Sequence, residues 1–168
     1  MRNKTYCHVA SGGNEVDVTN LFPKFQIRLE EAAKLALALL KKLGFRDVSL
    51  GLVFVSDAVI RHLNQKYLHH SWTTDVIAFS FFRSEDGKGS VRKPLPLGEV
   101  IISPKRAQVY SKRFYISFRQ ELVRYICHGI MHLKGYTDRS RQAQQLMRKK
   151  EDQLIKMFVR RHGIERII

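Results

Sequence analysis

The chain has 168 residues, 44% of them hydrophobic, which suits one domain spanning residues 1–168 and is too short for two. No run of about 18 apolar residues occurs, so we expect no association with a membrane. Residues 1–6 lack the apolar core of a signal peptide, and two cysteines, Cys7 and Cys127, are too few for a disulfide framework. These features favour a cytoplasmic protein.

Charge is the most informative bulk property of this sequence. Thirty Lys and Arg residues against fifteen Asp and Glu give a net charge of +15. A field of this sign attracts nucleic acid, including ribosomal RNA. The alternative is a basic surface that only aids solubility.

Two strands and two helices are predicted in the first half of the chain, in the order strand 3–10, helix 22–43, strand 48–55 and helix 57–67. Ala and Leu dominate the first helix, and Gly44 closes it. Ser56 can cap the second helix, whose inner stripe would hold Ile60, Leu63 and Tyr67.

The second half of the chain is predicted to hold two further strands followed by helices. The predicted order begins with strand 75–82, a mobile surface loop over residues 83–96 and strand 98–103. Three helices follow: one with Pro104 in its first turn, helix 118–134 capped by Ser117, and a basic helix over about 140–162. This order predicts an α/β (α+β) fold with helices around one small, mixed, four-stranded sheet.

The end of helix 118–134 carries the residues that indicate chemistry. Positions four apart in a helix differ by about 40°, so His128 and His132 point the same way and can share one metal ion. Gly135 can reverse the chain, and Asp138 would then swing back over both imidazoles as a third ligand. An isolated His-x-x-x-His pair often binds nothing, but the glycine and carboxylate that follow it favour a site for one zinc ion.

Gly129 directly follows the first histidine of this motif. Protein-cleaving zincins carry a glutamate at that position, where it acts as the general base. The sequence therefore disfavours a metalloprotease, although the spacing of the two histidines is the same.

Several segments resemble the YbeY family of bacterial rRNA-maturation endoribonucleases. They are His-Gly-x-x-His-Leu-x-Gly-Tyr at residues 128–136, Leu-Asn-x-x-Tyr at 63–67, Thr-Asp-Val-Ile-Ala-Phe at 74–79, and Leu-Gly-Glu-Val-Ile-Ile-Ser at 97–103. The resemblance implies a zincin-like core and a zinc-dependent endonuclease for single-stranded RNA, acting in 3′ end maturation of small-subunit rRNA and in ribosome quality control. It places zinc ligands at His128, His132 and Asp138.

The chain departs from the family pattern at two positions. Thr137 and Asp138 stand where the family has Asp-His, so the third ligand would be a carboxylate instead of an imidazole. Leu68 stands where the family has an arginine, a natural clamp for phosphate or for charge in the transition state.

The hypothesis that follows is metal-assisted hydrolysis of RNA. Zinc would acidify a bound water and polarise a phosphoryl oxygen. Apart from this water, the sequence does not identify a catalytic group. The candidates for binding the RNA backbone are Lys105, Arg106, Lys112 and Arg113, together with Arg148, Lys149 and Lys150 in the C-terminal helix. His69 and His70 can stack on bases or transfer protons, or they belong to a plain exposed loop.

A second hypothesis comes from a different functional class. The protein would be a ribosome-associated, metal-stabilised RNA-binding factor of the small subunit with little nuclease turnover. The missing arginine and the altered ligand motivate it. The sequence predicts neither the oligomeric state nor the preferred RNA sequence.

Overall fold

The computed structural model describes residues 5–81 and 93–162, with side chains up to residue 159. Five strands form one mixed sheet: β1 (Tyr6–Ser11), β2 (Asn14–Asn20), β3 (Val48–Phe54), β4 (Val76–Ser80) and β5 (Leu95–Ile102). Five helices accompany it: α1 (Leu29–Lys42), α2 (Asp57–Leu68), α3 (Pro104–Phe114), α4 (Phe118–Leu133) and α5 (Arg141–His162). In the described part of the chain, no helix is both long and apolar enough to cross a membrane.

The sheet has the strand order β1-β2-β3-β5-β4. β1 and β2 form an antiparallel hairpin, which turns through Gly12 and Gly13 at positive φ. β2, β3 and β5 run parallel, whereas β4 is an antiparallel edge strand beside β5. Helix α1 makes the crossover between the parallel strands β2 and β3, as parallel neighbours require.

One face of the sheet forms the main core with α1 and α4. Every second residue of β2 and β3 is buried, including Val16, Val18, Leu50 and Leu52. Helix α4 lies across β4 and β5 and packs on its outer side against α3 and α5. Contacts with the sheet and with neighbouring helices therefore fix the position of α4.

The α/β class is confirmed, but the sheet has five strands and not the predicted four. The missed strand, β2, has the sequence Asn-Glu-Val-Asp-Val-Thr-Asn, so only two of its seven residues are apolar. The residues at its two ends, Asn14 and Asn20, are buried and carry side-chain amides. The side chain of Asn14 donates to the carbonyl of Phe45 and accepts from the backbone amide of Val48. These long-range bonds satisfy a polar side chain in the core, and a hydrophobicity pattern does not reveal them.

Helix α1 begins at Leu29, seven residues later than the start of the predicted helix at residue 22. The side chain of Asn20, only 6% exposed, accepts from the amide of Phe22 and donates to the carbonyl of Phe25. These bonds hold the intervening backbone in a non-helical loop. The predicted end is confirmed, because Gly44 follows the helix at φ +79°.

Two details of the remaining elements also differ from the prediction. The sequence pattern predicts Tyr67 on the inner stripe of α2, but Tyr67 is 52% exposed, whereas Ile60 is fully buried against Val55, Ile77 and Ile101. The last two residues of the predicted loop 83–96 belong to β5, where parallel pairing with β3 extends the strand. Residues 83–92 of that loop lie outside the described residues.

Candidate metal centre

The C-terminal half of α4 presents two histidines on one side of the helix. Ser117 caps the helix by accepting from the amide of Gln120, and buried apolar residues such as Ile126 and Ile130 fix its orientation on the sheet. The Nε2 atoms of His128 and His132 lie 2.9 Å apart, with the ring planes at 83°. The two side chains are about one quarter exposed, at 26% and 28%.

The turn after α4 brings a carboxylate to the same place. Gly135 adopts φ +96°, and the amide of Tyr136 donates to the carbonyl of Met131, which closes the helix end and reverses the chain. Oδ2 of Asp138 then lies 4.0 Å from Nε2 of His132. One potential ligand atom from each of His128, His132 and Asp138 falls within 4.8 Å of the others.

The outer ring nitrogen of each histidine has an oxygen acceptor. Nδ1 of His128 lies 2.7 Å from Oε1 of Glu151, and Nδ1 of His132 lies 3.0 Å from the carbonyl oxygen of Tyr136. Since these oxygens only accept, each Nδ1 donates, and in a neutral ring Nε2 then carries a lone pair. Two lone pairs facing each other at 2.9 Å repel unless a proton or a cation lies between them. The arrangement therefore fits a shared metal ion.

Glu151 is the residue that sequence reasoning missed. It is 4% exposed, and its second oxygen accepts from Nη1 of Arg124 at 3.2 Å, while Nη2 of Arg124 binds Asp152 at 2.8 Å. A signal was present in α5, because Glu151 occupies a position in its buried stripe, which otherwise holds Met147, Leu154, Ile155 and Phe158. A charged residue at an apolar position of an amphipathic helix indicates a buried partner.

The surroundings shift the pKa values of the two histidines in opposite directions. Burial lowers the pKa of His128, but the hydrogen bond and charge of Glu151 outweigh it, so the pKa of His128 is raised. Burial also lowers the pKa of His132, and the neighbouring charge of His128 lowers it further. His128 is therefore the more basic of the two rings.

Gly129 is buried and faces the sheet. A Cβ at this position would lie 2.2 Å from Cγ1 of Val100 in β5. A side chain at this position, which carries the general base in zincin proteases, would therefore have to displace Val100. The structure thus adds a steric reason to disfavour a metalloprotease.

None of the described hydrogen bonds, ion pairs or ring contacts of His69, His70, Lys105 and Arg106 joins them to His128, His132 or Asp138. Lys105 and Arg106 are in the first turn of α3, where the exposed Lys105 binds Gln108. The exposed residues His69 and His70 follow α2. His70 stacks on Trp72 with ring centroids 4.3 Å apart, and the buried Asn64 binds the carbonyl of Trp72 at 2.8 Å, which fixes this loop.

Comparisons with known proteins lead to one family. The family model Endoribonuclease YbeY matches residues 17–159. Proteins named Endoribonuclease YbeY from Syntrophus aciditrophicus and Geobacter metallireducens are each 31% identical, over 88% and 89% of this chain and 90% and 99% of their own lengths. The one from Flavobacterium johnsoniae is 35% identical over 63% of this chain and 70% of its own length. A solution structure of a Thermotoga maritima protein has a TM-score of 0.54 and 26% identity, and the match covers 78% of this chain and 81% of that one.

The fold and the site together define an α/β protein with a His/Asp group suited to a divalent metal ion. With the family match over most of its length, the chain belongs to the Endoribonuclease YbeY family. The resemblance stated from its motifs is therefore confirmed, and with it the class of enzyme, an endoribonuclease.

Proposed function

We propose that this protein is a zinc-dependent endoribonuclease that cleaves single-stranded RNA and acts on small-subunit rRNA, in 3′ end maturation and in ribosome quality control. Residues 1–168 would act as one catalytic domain, in the cytoplasm. The observation that supports it best is the group of His128, His132 and Asp138. In both histidines Nδ1 is hydrogen-bonded to an oxygen, which leaves Nε2 for a metal ion. The family match supports RNA as the substrate.

The three side chains have separate tasks in this proposal. His128 and His132 would offer a metal ion two neutral nitrogen ligands, and Asp138 would add a negatively charged oxygen. A divalent ion held there supplies a Lewis acid that polarises a phosphoryl oxygen and acidifies water. Glu151 and the carbonyl of Tyr136 hold the rings in the ligand tautomer.

The basic surface would hold the RNA backbone near this group. The net charge of +15 provides the attraction, and Lys105 and Arg106 are the backbone-binding candidates. The stacked pair of His70 and Trp72, with Trp72 61% exposed, offers planar faces for unpaired bases, and the exposed His69 precedes it. These contacts favour single strands, because only unpaired bases can stack on side chains.

A histidine substitution tests the proposal. We expect His128→Ala to lose bound zinc and cleavage of single-stranded RNA together, whereas His62→Ala, on the exposed side of α2, keeps both. Metal content of the purified proteins and cleavage of single-stranded and duplex RNA are measured side by side. Full cleavage by a His128→Ala protein shown to be free of metal would rule the mechanism out.

A second candidate function is a ribosome-associated, metal-stabilised RNA-binding factor with little turnover. Leu68, 45% exposed at the end of α2, favours it, since a leucine cannot clamp phosphate as the family's arginine would. Salt-sensitive binding to purified small ribosomal subunits, with no RNA cleavage when zinc or manganese is supplied, would select this function over the first.

A further inference from the structure

Helix α3 and the turn after it carry exposed aromatic rings. Tyr110 and Phe114, one helical turn apart, lie with ring centroids 5.4 Å apart and ring planes inclined by 30°. They are 37% and 55% exposed, and Tyr115, which follows directly, is 97% exposed. We call these three residues the α3 aromatic stripe.

The backbone of Tyr115 is unusual for a residue of its size. It forms the C-cap of α3 with φ +55°, a left-handed conformation that helix ends normally assign to glycine. A bulky residue there is disfavoured. Because the ring is almost fully exposed, core packing does not explain its presence, which points to a role in binding.

The surroundings of the stripe are basic. Residues 104–120 contain five basic residues and no acidic one: Lys105, Arg106, Lys112, Arg113 and Arg119. The guanidinium of Arg113 lies 5.6 Å from the ring centroid of Phe114. Flat rings beside positive side chains are what single-stranded nucleic acid binds, because bases stack on the rings while phosphates pair with the cations. A second copy of this chain, with a net charge of +15, would be repelled.

We propose that the α3 aromatic stripe is a stacking subsite for unpaired bases of single-stranded RNA, with Lys112 and Arg113 holding the adjacent phosphates. This inference rests on the proposed function. It adds a second place on the protein that binds the same RNA, away from the bond that is cleaved.

The subsite lies away from the metal-binding group. Residues 115–117 join α3 to the start of α4, and His128 is ten residues further, about 15 Å along the helix axis. A stacked strand rises about 3.4 Å per nucleotide, so about four stacked nucleotides would cover the distance from the metal group to the stripe. The stripe should therefore affect long RNA and leave very short RNA unaffected.

Two substitutions remove two of the three rings of the stripe, those of Phe114 and Tyr115, with little risk to the fold. Phe114→Leu keeps apolar volume, and Tyr115→Gly places glycine where the backbone favours it. The matched control is Tyr6→Leu, which removes a ring that is 55% exposed on the edge strand β1. Binding is measured by fluorescence anisotropy with a labelled 16-nucleotide oligoadenylate, in chelator so that the RNA stays intact.

We expect affinity to fall at least about fivefold for each ring removed, with an unchanged dependence on salt, because stacking releases no counterions. Lys112→Gln should instead reduce the slope of log affinity against log salt by about 0.7. Tyr6→Leu should bind like the wild type. In cleavage, the Phe114→Leu/Tyr115→Gly protein should show a raised KM for the 16-nucleotide RNA and unchanged cleavage of a dinucleotide.

Two results would overturn the stripe as an RNA subsite. One is wild-type affinity in the Phe114→Leu/Tyr115→Gly protein. The other is a concentration-dependent dimer, seen by sedimentation, that these substitutions abolish, because the stripe would then bind a second copy. Failure of the proposed function can be distinguished from failure of the stripe. If the protein is not a nuclease, the wild type cleaves neither RNA, while anisotropy still measures whether the stripe binds RNA.

Discussion

Oε1 of Glu151, in the buried stripe of α5, accepts a hydrogen bond from Nδ1 of His128 in α4 at 2.7 Å, although the two residues are 23 positions apart. The same carboxylate binds Arg124 through its other oxygen. Packing of α5 against α4 therefore sets the tautomer and the orientation of a proposed metal ligand.

Glu151→Gln should weaken metal binding by about 10–100-fold. The amide can donate to Nδ1 of His128, which would move the ring proton to Nε2 and remove the lone pair that faces His132. Competition between the protein and a chelator for zinc measures the change. The control is Asp152→Asn, which alters another carboxylate on Arg124 and leaves the hydrogen bond from His128 to Glu151 in place. An unchanged zinc affinity in Glu151→Gln would show that Glu151 does not orient the ligand.

Asp138→Ala should also lower zinc affinity, by at least about the same 10–100-fold, because it removes one of three proposed ligands. Asp138→His should retain the ion, since imidazole is an equally suitable ligand and is the one the family pattern has at this position. Metal content after dialysis distinguishes the variants. If the alanine variant keeps full zinc content, Asp138 is not a ligand.

Gly129→Ala should destabilise the protein by about 1–3 kcal/mol, although alanine favours a helix more than glycine does. The reason is steric, since the new methyl would lie 2.2 Å from Cγ1 of Val100. Adding Val100→Ala should restore part of the lost stability through removal of the clashing methyl groups. Urea unfolding of both variants measures this, and equal stability of Gly129→Ala and wild type would contradict the close packing.

Glu121→Gln should stabilise the protein at neutral pH. Burial raises the pKa of Glu121, which is 5% exposed, in spite of the opposing charge of Arg124. A raised pKa means that the folded state holds the proton more tightly, so stability falls as pH rises from the ordinary carboxyl value through the raised one. The neutral glutamine avoids this loss, and its advantage should disappear below the ordinary pKa.

Urea unfolding between pH 4 and pH 8, a range that brackets the ordinary pKa of about 4.3, measures this difference. Glu31→Gln is the matched control, because Glu31 also lies in the first turn of a helix, α1, and pairs with a basic residue three positions later, Lys34. It should lose a little stability and gain none. A Glu121→Gln protein less stable than wild type at pH 8 would show that the pair with Arg124 outweighs burial.

Local sequence patterns predicted the parts of the molecule that depend on neighbours along the chain. Helix geometry predicted that His128 and His132 lie side by side. The preferences of single residues predicted the chain reversal at Gly135 and the helix caps at Ser56 and Ser117. The spacing of these residues also predicted that Asp138 approaches the two histidines, and its role as a ligand stays a prediction.

Tertiary structure alone decided the features whose partners are distant in sequence. β2 is a strand because Asn14 and Val16 meet residues of β3 and the loop before it, more than 30 positions away. Glu151 lies beside His128 only because α5 folds back along α4. A carboxylate in a helix has no preferred partner in the sequence, and the packing of two helices determines which side chain it meets and whether water still reaches it.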